Sequence, residues 1–104
     1  MPFYPESQKQ IKERILANFP SAAPKEADLG LVDIGRANSD IDTQEVLANH
    51  LLWMLDRIEE MPGDEAGKRG RWMGYVFACL EFMGIATNAD SRNMCRIDVR
   101  NGHT

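Results

Sequence analysis

Two histidines, two cysteines and an evenly spaced row of arginines are the residues of this sequence that could do chemistry, and their spacing limits what each could do. His50 has no Cys, Asp, Glu or second His three or four residues from it, and His103 stands near the end of the chain. A zinc site needs several ligands converging, and a catalytic dyad needs a nucleophile beside its base. Neither histidine supports one, so His50 reads as a half-buried or surface residue and no metal is expected. Asn38, Asp40 and Asp42 alternate as calcium-loop ligands do, but Thr43 stands where the turning glycine belongs and Asn49 where the bidentate glutamate belongs. Capping and a solvated turn explain these residues instead.

Cys79 and Cys95 lie at nearly equal distances from Thr87, so a helical hairpin turning there would bring them to similar height and leave a redox pair open to them. The simpler reading is two reduced thiols, Cys79 in the core and Cys95 partly buried. Arg92, Arg96 and Arg100 repeat every four residues, and with Lys68, Arg69 and Arg71 they supply half of the 12 bases. Residues 20–66 carry eleven acids against three bases, so charge is polarised along the chain. The arginine row is expected to be a solvated helix edge that pairs with those acids, within the molecule or in a partner; the alternative is contact with nucleic-acid phosphates. A net charge of −4 gives no overall attraction for nucleic acid, so such binding is expected to be weak. Trp53 and Trp72, which might stack on bases, sit within apolar segments and read as core or interface. No paired carboxylates, nucleophile with base or glycine-rich phosphate loop emerges, which points away from an enzyme and from any cofactor.

The elements that would hold these residues follow from period and punctuation. A chain of 104 residues, 43% hydrophobic and 27% charged, has the composition of one globular domain with a single core. Residues 1–19 hold a helix over about 6–18, with Pro5 in its first turn and Ile11, Ile15, Leu16 and Phe19 on one face. Pro20 and Pro24 end it. An irregular connector over 20–41 follows, in which Leu29, Leu31, Val32 and Ile34 are expected to lie as a loop across the core rather than as an extended segment. A second helix over 42–61 starts with Asp42 as N-cap, Glu45 as its capping partner and Ile41 with Val46 as a hydrophobic staple. Leu47, Leu51, Met54, Ile58 and Met61 form its seam, and Pro62-Gly63 stop it.

A third helix over 64–84 begins with Asp64 and Glu65 at the positive end of the helix dipole, each four residues before a base. Trp72, Val76, Cys79 and Met83 form one of its seams, Met73, Phe77 and Leu80 another, so it is expected to be central and surrounded on most sides. Gly84 stops it. Thr87 with Asp90 caps a short last helix over 87–97, after which the tail frays. The fold expected is therefore all-α: the second and third helices form an antiparallel hairpin, and the two shorter helices pack against it.

Gly70, Gly74 and Ala78 recur every four residues along the third helix, with Gly67 extending the strip. Glycine inside a helix costs up to about 1 kcal/mol relative to alanine, so the strip calls for a compensating close contact. The connector could supply it, but two apolar seams with few companions favour a second copy of the chain, its interface formed by Trp53, Gly70, Gly74 and Ala78. No basic, apolar and small-residue leader is present, and the longest uncharged apolar stretch, Trp72 to Leu80, is too short to span a membrane, so a cytoplasmic protein is expected.

The segment Arg71-Trp72-Met73-Gly74-Tyr75-Val76-Phe77, the turn Met83-Gly84-Ile85-Ala86-Thr87 and the capped polar helix with Asp90 and Arg92 resemble the closing part of small helical proteins encoded by tailed phages and prophages. The likeness extends over about residues 47–96. It implies a phage or prophage setting and no particular activity. The function expected is that of a small interaction or accessory protein acting through a protein interface.

Overall fold

A helix that opens on Pro5 with no Ser, Thr, Asp or Asn before it must find its N-terminal cap elsewhere, and that need ties the two ends of this chain together. The computed structural model describes residues 3–28, 40–62 and 65–102. Helix α1 spans Pro5–Asn18, preceded by Tyr4 in the left-handed region at φ 48° with no side-chain cap of its own. The cap comes from Asp98, near the end of the last helix, α4, which spans Asn88–Arg100. The Glu6 N–H donates to Asp98 Oδ1 at 2.9 Å, and the Ser7 N–H and hydroxyl donate to Oδ2 at 2.8 and 2.6 Å. A carboxylate this close to the C-terminus of its own helix faces an unfavourable dipole, and the N-terminus of α1 offsets it. Asp98 is fully buried as a result. Arg14 makes a second tie, donating to the Ile85 carbonyl at 3.3 Å and pairing with Asp90 at 3.4 Å.

Helix α2 spans Ile41–Glu60, and its cap is Asp40, not Asp42: the N–H groups of Asp42 and Thr43 donate to the Asp40 carboxylate at 3.1 and 3.4 Å. Both residues suit the role, and starting at Ile41 puts Asp42 in the first turn, against the positive end of the dipole. Ile41 and Val46 stay exposed at 58% and 40%, so the expected staple does not form. Leu47, Leu51, Met54 and Ile58 are buried as the seam requires, joined by Ala48, Leu52 and Leu55.

Helix α3 spans Ala66–Phe82. It ends as its glycine dictates. Gly84 takes φ 73°, its N–H donates to the Glu81 carbonyl at 3.1 Å, and the Ile85 N–H reaches back to Leu80 at 2.9 Å, a Schellman closure. The capping box of α4 forms as read, with Thr87 and Asp90 exchanging bonds at 2.9 and 3.1 Å. These bonds from Thr87, helped by the Arg14 charge, hold the Asp90 carboxyl below its usual range. The helix continues past the expected stop at Ile97 to Arg100, which is what carries Asp98 to α1.

The architecture is all-α, and among the described residues one buried cluster is drawn from α1, α2, α3 and α4. Its most extensive contact is between α1 and α4, with α2 against α3 second; α1 makes no close approach to α3. Met73 and Phe77 of α3 lie beside Phe3, Tyr4 and, from α4, Cys95. The two seams of α3 merge into a single buried face, Met73, Val76, Cys79 and Leu80, and its opposite face is exposed. The expectation of a helix surrounded on most sides is therefore corrected. Leu29, Leu31, Val32 and Ile34, like Gly63, Asp64 and His103, lie outside the described residues.

Candidate interaction surface

At 3.6 residues per turn, Gly67, Gly70, Arg71, Gly74, Ala78, Glu81 and Phe82 share the half of α3 that points away from the core. All of them are exposed. A Cβ built on Gly70 or Gly74 meets no described atom within 4 Å, so neither glycine is required by a close approach inside the chain. Phe82 leaves 51% of its surface in solvent at the far end of this face. Arg71 and Glu81 make no ion pair with a described residue. One edge of the face descends into a shallow groove of about 180 Å³ between α3 and α4, lined by Gly70, Gly74, Phe77, Cys95, Phe3 and Tyr4. The Arg69 guanidinium lies 4.5 Å from the centre of the Phe3 ring instead of pairing with Glu65.

Gly70, Gly74 and Ala78 are thus brought together, and Trp53 is not. Trp53 packs on Trp72 with ring centroids 5.9 Å apart, and Trp72 lies two residues, about 200° around the helix, from Gly74. The tryptophan pair belongs to the α2–α3 contact. His50 stacks on Trp53 at 5.3 Å and is buried, 6% exposed, where a half-buried or surface residue was expected. Its Nδ1 accepts the Ala27 N–H at 3.0 Å, so the ring serves as a neutral acceptor, and burial lowers its pKa below 6.5 although Glu26 pulls the other way.

Arg92, Arg96 and Arg100 are exposed along one edge of α4, and none forms an ion pair or hydrogen bond with a described residue. The pairing with the chain's own acids expected for them is therefore not found among the described residues. Cys79 and Cys95 are free thiols. Burial pushes both up in pKa. Among the described residues no group of His, Cys, Asp and Glu is arranged to hold a metal ion, and no helix is long and apolar enough to cross a membrane.

The residues that sequence reasoning missed are Asp98, Ser7 and His50. One signal for the first two was present: a helix starting at Pro5 with Tyr4 before it lacks a local cap, and an acid had to come from a distance. Compared with family models, curated proteins and solved structures, the chain matches none.

Proposed function

We propose that this chain is a small interaction protein, an accessory of a tailed phage or prophage, that works as a two-fold dimer through the outer face of α3. The observation that carries the reading is the pair Gly70 and Gly74, exposed in mid-helix with open space where a side chain would stand. Each costs the isolated helix up to about 1 kcal/mol relative to alanine, with no return inside the described chain. Close approach of a second backbone supplies that return, and two-fold pairing is the commonest way to close such a face.

The sequence of the face favours antiparallel crossing. Gly74 and Ala78 straddle position 76, and so do Arg71 and Glu81, so a two-fold axis at that level sets Arg71 of one copy near Glu81 of the other. Light scattering over a concentration series tests the dimer, which Gly74→Leu converts to monomer with its helix content intact. Arg71→Glu weakens the pair, and adding Glu81→Arg in the same chain restores it. A monomer at all concentrations contradicts the reading.

A second reading, contact with nucleic acid along Arg92, Arg96 and Arg100, is favoured by the absence of acidic partners for these side chains among the described residues. A salt-dependent mobility shift abolished by Arg92→Glu with Arg96→Glu supports it. No shift at low salt excludes it.

A further inference from the structure

Residues 23–27 run along α2, and every second backbone N–H donates to it: Ala23 to Asn49 Oδ1 at 3.0 Å, Lys25 to the Asn49 carbonyl at 3.1 Å, Ala27 to His50 Nδ1 at 3.0 Å. The first two acceptors do not titrate. The third does. Nδ1 accepts only while the ring is neutral with its proton on Nε2; once protonated, Nδ1 carries a hydrogen aimed at the Ala27 N–H, two donors head to head.

We propose that this segment is a pH-released strap, latched to α2 by His50 and freed from Ala27 outward when His50 takes up a proton. The proposal is independent of the dimer. Its geometry is local to α2 and the strap, and release uncovers the imidazole, which stacks on Trp53 and is 6% exposed while the latch is closed. Burial of the ring opposes the charge, so the latch is closed at neutral pH and opens below 6.5. Of the charges around the ring, Glu26 on the strap favours the imidazolium. The strap also carries Lys25 and, beyond Ala27, Asp28, which has a partner of its own. On α2, Arg57 lies 6.0 Å from the Trp53 ring, and on α3, Lys68 lies 5.5 Å from Trp72. From α1, Lys12 reaches α2 with its charge paired to Asp56 at 3.8 Å.

Amide hydrogen exchange on the full chain, expressed as protection relative to the intrinsic rate at each pH, is the test. Between about pH 7.5 and 5, protection of the Ala27 amide falls by about tenfold or more while that of Leu51 in the core of α2 holds. His50→Asn, whose Oδ1 can stand near the place of Nδ1 and does not titrate, keeps Ala27 protected at both pH values. Should that variant not fold, nitrogen chemical shifts of the wild-type imidazole decide: the neutral Nε2–H form above the transition, and a His50 titration whose midpoint coincides with that of the Ala27 amide. Unchanged Ala27 protection across the range, an equal loss in His50→Asn, or a midpoint at Ala27 unrelated to His50 would overturn the proposal.

Discussion

The joint between α1 and α4 and the outer face of α3 are opposite solutions to the same problem, a helix with something missing. Helix α1 lacks a cap, and the chain supplies one across 91 and 92 residues of sequence, with both Asp98 oxygens engaged and the carboxylate sealed from water. Helix α3 lacks side chains along Gly70 and Gly74, and no described residue moves in to compensate. A deficit answered inside the chain makes a structural joint. One left open on the surface is what we propose a second molecule fills, and that difference is why α3 rather than the buried carboxylate is proposed as the functional surface.

The largest expected effect comes from breaking the answered deficit. Asp98→Ala leaves the Glu6 and Ser7 N–H groups unpaired in a dry joint and should cost about 3 kcal/mol, roughly 15 °C of melting temperature. A loss below about 1 kcal/mol in a thermal melt would mean that water replaces the carboxylate.

Filling the open deficit should act with the opposite sign on the lone chain. Gly70→Ala with Gly74→Ala raises monomer stability by up to about 2 kcal/mol, because both sites are helical and unobstructed. The same two methyl groups weaken self-association, and denaturant midpoints at low concentration beside light scattering at high concentration read the two effects separately. A loss of stability in the monomer would place another group against the glycines. Ser7→Ala is milder, at about 1 kcal/mol, since Asp98 Oδ2 keeps the backbone donor of the same residue.

The smallest effect is that of pH. His50 titrates at 6.5 in the unfolded chain and lower in the folded one, so between the two values the unfolded chain binds more protons. Its contribution to stability is full above 6.5 and is lost as pH falls toward the folded value. Denaturant midpoints of wild type against His50→Asn below pH 6.5 check this, the wild type alone losing stability.

How far each region was legible follows from the range of the interactions that make it. Local signals carried the helices: Pro20, Gly84 and the Thr87–Asp90 box ended or began elements where they were read, because each acts within one turn. Asp40 and Asp42 are equally good caps by residue type, so the start of α2 could be read only to within two residues. Asp98, Ser7 and His50 act through partners 23 or more residues away; the uncapped start of α1 signals that a distant acid is needed, but nothing beside Asp98 or His50 marks either as the partner. The glycine strip was legible as periodicity. The error concerned its surroundings: two apolar seams that a helical projection separates are one face in the packed helix, and Trp53 belongs to that buried side.

Whether a second copy seats on the outer face of α3 is tested most directly by light scattering or sedimentation equilibrium on the wild type and on Gly74→Leu across the same concentration series. The expected result is a wild-type mass approaching twice 11.8 kDa as concentration rises, with Gly74→Leu remaining at 11.8 kDa and equally helical by circular dichroism. A wild type that stays at the monomer mass throughout, or a Gly74→Leu dimer as tight as the wild type, would contradict it.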